Sequence, residues 1–281
     1  DPYEINVGTI SISIDMGAGW NWFSINVAGD DMSPNAVLAT LDPSDGDIIK
    51  SQADGFANWY DGNGWLGGLT ELDVKSMYMI NTNAGTLEYA GVPASPATTP
   101  ISLGAGWNWI GYLPQSEIST TDALATVDAE VNDIIKSLTG GFANWYGDEY
   151  GWVGGLATLS PGNGYMLNVS YSSDLIYPDG SSGNARISLQ LEDEKVLPAV
   201  ISSWSVNPRD YEFNATMTLS IDSREDFDGD YVGVFVGDEC RGIAKRAEFV
   251  IDGSYNYSVM VYSNIAEGEK LTFKYYSSLD D

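Results

Sequence analysis

The stretch GGFANWYGDEYGWVGGL, residues 140–156, repeats almost word for word the earlier DGFANWYDGNGWLGGL of residues 54–69. Two further words recur: GAGWNW at 17–22 and 104–109, and DIIKS at 47–51 and 133–137. The offset is 87 for GAGWNW, falls to 86 for DIIKS and GFANWY, and returns to 87 at GWLGGL and GWVGGL. The second copy has therefore lost one residue before its helix and gained one at the hairpin tip. Insertions and deletions confined to loops, with the framework words unchanged, mark two folded copies of one module.

Each copy reads as β-α-β-β-β. GWNWFSINV and GWNWIGYL alternate like strands, with Phe23, Ile25 and Val27 on one face and Trp20 and Trp22 on the other. SPNAVLATL offers Ser33 as an N-cap, Pro34 at the first helical position and a Val37-Leu38-Leu41 stripe; STTDALATV repeats it. Helices are thus predicted over 33–41 and 119–127. FANWYDGNGWLGGL is a hairpin with a turn at Asn63-Gly64, and MYMIN and GYMLN close the modules as strands.

AGVPASPATTP reads as a semi-rigid linker and YPDGSSGN as a looser boundary. After them come short strands with turns between, such as YVGVFVGDECRGIA and YNYSVMVYS, the pattern of an antiparallel β-sandwich. The fold expected is mainly β with some α: two homologous α+β modules with one short helix each (1–90 and 101–178), then a β-sandwich domain (186–281). Residues 91–100 and 179–185 are the expected linkers. The opening DPYEINVG reads as a processed or trimmed start, and SSLDD as a cut inside or just after the last domain.

Twelve Lys+Arg against 40 Asp+Glu give a net charge of −28, and residues 1–185 hold only Lys50, Lys75 and Lys136 as cationic side chains. Nucleic acid and anionic membrane surfaces are poor partners for such a chain. No apolar run is long enough to insert in a membrane. With no histidine, Ser-His-Asp, Cys-His and histidine-metal chemistry are excluded. The single Cys240 reads as a small buried hydrophobe, and the repeated Asp47 and Asp133 as turn-formers. The chain is expected not to be an enzyme.

The words GWNW, DIIKS, GFANWY, GW(L/V)GGL and GYML together resemble a Trp-rich tandem repeat of secreted and surface proteins, chiefly of Bacteroidota and related bacteria. The later SWSVNPRDYEF and VGVFVGDECRGIA are similar to a β-domain typical of type IX secretion substrates. The resemblance implies export and a modular parent protein, extracellular or at the cell surface. The first copy departs from it where Asp73-Val74-Lys75-Ser76 replaces the Ser160-Pro161-Gly162-Asn163 turn.

Candidate ligand residues sit on the hairpins: Asn58, Trp59, Tyr60 and Trp65 in the first copy, Asn144, Trp145, Tyr146 and Trp152 in the second. Either these rings fill a small core, or they stack on sugars while amides bind hydroxyls. The sugar reading requires Trp59, Trp65, Trp145 and Trp152 to be partly exposed, with Trp20, Trp22, Trp107 and Trp109 buried. Asp226, Asp228 and Asp230 alternate around Gly229, either as a Ca2+ loop or as a solvated turn; otherwise no cofactor is expected. The leading expectation is a non-catalytic carbohydrate-binding or adhesive region whose partner is a polysaccharide or cell-surface glycan. The alternatives are a stalk, filament or surface-layer subunit that self-associates, and an accessory segment of an exported hydrolase.

Overall fold

A computed structural model describes residues 8–179, 199–221, 227–249 and 251–279. The chain is mainly β with a few short helices, and it divides into two compact units, Asp1–Ser181 and Ser182–Asp281.

In the first unit the repeated words fold the same way twice. The turn before the strand Gly19–Phe23 needs a left-handed residue, and Gly19 supplies it at φ 92°. Asn21 closes that turn, accepting from the Gly17 amide at 2.9 Å and donating to the Gly17 carbonyl at 2.8 Å. Gly106 (φ 96°) and Asn108 repeat the arrangement with Gly104. The word GAGWNW is thus a turn with its own side-chain clasp.

Each strand so launched is an edge of a five-stranded antiparallel sheet. The first sheet runs Gly19–Phe23, Tyr78–Thr82, Ile48–Lys50, Phe56–Tyr60, Gly64–Gly67. The second runs Gly106–Ile110, Tyr165–Val169, Ile134–Lys136, Phe142–Trp145, Trp152–Gly154. One face of each sheet is buried. Phe23, Ile49, Tyr78 and Ile80 pack with Val37 and Leu38 in the first copy; Ile110, Ile135, Tyr165 and Leu167 pack with Ala123 and Leu124 in the second.

The helices are shorter than the sequence pattern predicts. They span Pro34–Val37 and Thr120–Ala123, capped by the Ser33 and Ser119 hydroxyls, which accept from the Ala36 and Asp122 amides. A single turn is not stable alone; burial of Val37 and Ala123 holds it, and Leu38 and Leu124 turn the chain away.

The 91–100 segment is not a free spacer. The strand Gly85–Pro93 runs into it and pairs with Ile10–Met16, from Ile10 opposite Gly91 to Met16 opposite Gly85. Ala94 then donates to the Asn26 carbonyl at 2.9 Å, and Pro96–Thr98 forms a 3-10 turn.

The two copies are joined directly, and reciprocally. Ser24 N–H donates to Gly162 O (3.1 Å) and Gly164 N–H to Trp22 O (3.3 Å). At the positions related by the repeat, Gly111 N–H donates to Lys75 O (2.8 Å) and Met77 N–H to Trp109 O (3.3 Å). Phe23 bridges Asn163 as Ile110 bridges Ser76. The same patch of each copy meets its counterpart, which is the bond pattern of an isologous dimer built within one chain.

In the second unit, Phe213–Leu219, Tyr255–Ser263 and Ala247–Glu248 form one antiparallel sheet. Glu239–Lys245, Tyr231–Val236 and Thr272–Tyr276 form another. Val232, Val234 and Ala244 from the latter share a core with Tyr257, Val259 and Val261 from the former. Cys240 is buried and unbridged in its strand.

Candidate functional site

Register decides which hairpin rings face the core. Trp59 lies opposite Trp65, and Trp145 opposite Trp152, with ring centroids 5.7 Å apart in both pairs. These positions share the face of Ala57 and Ala143, which is the buried face. Trp65 is 4% exposed and Trp152 7%, each within its copy's hydrophobic core, while half-buried Trp59 and Trp145 pack against the same cores. The expectation that all four are partly exposed therefore fails for Trp65 and Trp152. They are core residues.

The opposite face carries Phe56, Asn58, Tyr60 and Leu66 in the first copy. Phe56 is 53% exposed and Tyr60 45%, with Asn58 half-buried between them. In the second copy Phe142 is buried, and Asn144 and Tyr146 are half-buried.

The edge strands differ from expectation too. Trp20 and Trp22 are buried, on the sheet face opposite Phe23, but Trp107 is 41% exposed and Trp109 half-buried. Trp107 stands opposite Asn168, and the register continues through Ile134 to Asn144. Trp20, Asn81, Ile48 and Asn58 form the same row in the first copy. A lysine ammonium lies over the first ring of each row: Lys50 at 4.8 Å from Trp20 and Lys136 at 4.5 Å from Trp107. Burial pulls the Lys136 pKa down to about 8 from 10.5, so this amine titrates just above neutrality.

Comparison with family models, curated proteins and solved structures returned no match. The functional reading therefore rests on the geometry of this chain.

The repeated aspartates close turns. Asp47 Oδ2 accepts from Ser44 N–H at 3.0 Å and Asp133 Oδ2 from Glu130 N–H at 2.9 Å. Asp230 does the same with Phe227 N–H. Of the three aspartates read as a Ca2+ loop, Asp226 lies outside the described residues, and exposed Asp228 pairs with Lys245 at 3.4 Å. Asp230 is fully buried, and both its oxygens are taken: Oδ1 by the Ser278 amide and hydroxyl, Oδ2 by Phe227 N–H and the Tyr275 hydroxyl. Four protein donors engage its two oxygens, which gives Asp230 a structural part in closing the turn.

Burial works against the Asp230 charge, but the bonds donated by Tyr275, Phe227 and Ser278 outweigh it and hold the pKa below the ordinary 3.8. A depressed carboxyl stabilises the fold above its unfolded pKa, and that contribution is lost as pH falls through the folded value. Asp230→Asn is accordingly expected to lower the urea midpoint of the second unit at pH 7, with the gap from the native protein narrowing below about pH 4. Urea titrations read by amide exchange of the strand Thr272–Tyr276 measure it; a gap that widens on acidification contradicts this role.

The sequence reading missed Trp107 and Phe56 as surface aromatics. Their signal was present in the alternation, but both faces of these strands carry large apolar residues, so alternation alone could not say which is wet.

Proposed function

We propose that this chain is a non-catalytic carbohydrate-binding or adhesive region of a secreted or cell-surface multidomain protein. The observation that carries the reading is Trp107: a 41%-exposed indole on a sheet edge, opposite the Asn168 amide and beside the Lys136 ammonium. An aromatic face beside a fixed amide suits the CH face and hydroxyls of a sugar ring. Phe56 and Tyr60 around Asn58 offer a second aromatic surface in the other copy. The net charge of −28 favours neutral polysaccharides or cell-surface glycans over polyanionic ones. Because the copies are bonded to each other, any second contact is held at fixed spacing, unlike a tethered bead. The resemblance of the repeat and of the following β-domain supports export through a type IX route to the cell surface.

A glycan array probed with the whole chain tests this. Binding to a defined neutral glycan is expected, and Trp107→Ala should weaken it about 10-fold or more, on the scale of roughly 1–3 kcal/mol that a base stacked on one aromatic ring contributes. The melting temperature should change little, because Trp107 belongs to neither core.

A stalk or surface-layer subunit is the second reading, favoured by the exposed Phe56, Tyr60 and Leu66. It requires ordered self-assembly in sedimentation that Phe56→Ser abolishes, without glycan binding. An accessory role beside an exported hydrolase fits the first reading equally.

A further inference from the structure

Where the two copies join, a cleft of about 300 Å³ opens between the first copy's Asp73–Met77 turn and the second copy's edge strand. Its walls include Gln52, Asp73, Lys75, Ser76 and Trp109. That volume is at the low end of ligand sites. We infer that this cleft is the subsite that takes a neutral, hydroxyl-rich saccharide unit, an inference that rests on the carbohydrate-binding reading above.

The argument comes from the broken symmetry of the repeat. The cleft residues have counterparts in the other copy, and three of the differences bear on a ligand. Gln52 corresponds to Leu138, Asp73 to Ser160 and Lys75 to Gly162. On the counterpart side Leu138 is buried, and Gly162 lies so close to Ile14 that a Cβ there would sit 3.1 Å from Ile14 Cγ1. A lysine in place of Gly162 would crowd Ile14 and be strained in the left-handed backbone at φ 83°. On the cleft side Lys75 is exposed, and Ile101, the counterpart of Ile14, lines the open space. At one junction Leu138 is buried and Ile14 crowds Gly162; at its twin Gln52, Asp73 and Lys75 border open space. This is where the first copy abandons the Pro-Gly turn of the second, so the one marked departure from the repeat pattern lines the cleft.

The walls are held in place. Gln52 spans the junction, its Nε2 donating to Trp107 O and its Oε1 accepting from Trp109 N–H, both at 2.7 Å. The turn is anchored by Asp73 N–H donating to the Tyr78 hydroxyl, and Asp73 Oδ1 accepts from Lys75 N–H at 2.8 Å. Lys75 makes no side-chain ion pair or hydrogen bond among the described residues, so its ammonium has three donors for a ligand. A carboxylate that accepts, an ammonium that donates and an indole wall are the complement of a polyol ring. Gln52 also joins this cleft to exposed Trp107, so a glycan chain could lie across the ring with one unit in the cleft.

The test uses the whole chain on an array of neutral glycans, comparing the native protein with Lys75→Ala and with Gln52→Leu/Lys75→Gly, which copies the closed junction. Lys75→Ala removes only an exposed side chain and should fold normally, so it stays interpretable if the double variant unfolds. Both are expected to lower affinity about 10-fold or more for every glycan the native protein binds. Glycan binding that survives Lys75→Ala undiminished while Trp107→Ala removes it overturns the cleft inference and leaves the carbohydrate reading standing. Absence of glycan binding by the native protein overturns both.

Discussion

Trp152→Ala is expected to destabilise the first unit by about 3–5 kcal/mol, the cost of truncating a large aromatic in a packed core. Trp152 is 7% exposed, meets Trp145 at 5.7 Å and shares its cluster with Ile135, Leu156 and Leu167. Trp65→Ala should behave alike in the first copy, where the pair with Trp59 has the same spacing. The indole Nε1 atoms of Trp65 and Trp152 are buried without a hydrogen-bond partner among the described residues, so neither ring is there for its polar handle. Trp152→Phe, which keeps an aromatic ring and removes the unpaired donor, should recover much of the loss. Urea titration of the three proteins measures it. Near-native stability of Trp152→Ala would mean that the ring is not core, and the hairpin would return as a ligand platform.

That result bears on how far the sequence could be read. The repeated words carried the duplication, the strand order around the hairpins and the two serine caps, because each depends on residues close together in the chain. Trp65 was out of reach for a different reason. Phe56 and Tyr60 on one face, and Trp59 on the other, are all large and apolar, so alternation defined two faces without ranking them. The ranking came from Ile49 and Ile80, which belong to neighbouring strands and place Ala57, Trp59 and Trp65 against the core. The pairing of Ile10–Met16 with the distant Gly85–Gly91 segment left no local mark for the same reason. Hidden most completely was the join between the copies. Its reciprocal bonds run between backbone groups, which every residue carries. Its side-chain bonds, such as Ser24 Oγ donating to Asn163 O at 2.7 Å, follow no local pattern. Its clearest trace in sequence is therefore at positions where a side chain would not fit.

Gly111 is such a position, and Gly111→Ala is expected to cost about 1–3 kcal/mol through overpacking. A Cβ there would lie 2.3 Å from Val74 O and 2.9 Å from the Lys75 carbonyl carbon, atoms of the opposing copy's backbone that cannot swing aside. Gly155→Ala is the control, since a Cβ at Gly155 meets nothing within 4 Å. The more telling readout is amide exchange at Ser24, Met77, Gly111 and Gly164, the four donors of the reciprocal join. If the copies form one cooperative body, forcing apart the Gly111 side should speed exchange at Ser24 and Gly164 on the other side as well, because both pairs depend on the same relative placement. Faster exchange confined to Gly111 and Met77 would mean that each half of the join opens independently. The cleft beside Lys75 depends on that same placement, since one wall belongs to each copy, so a variant that loosens the join should lose the cleft before it loses either core.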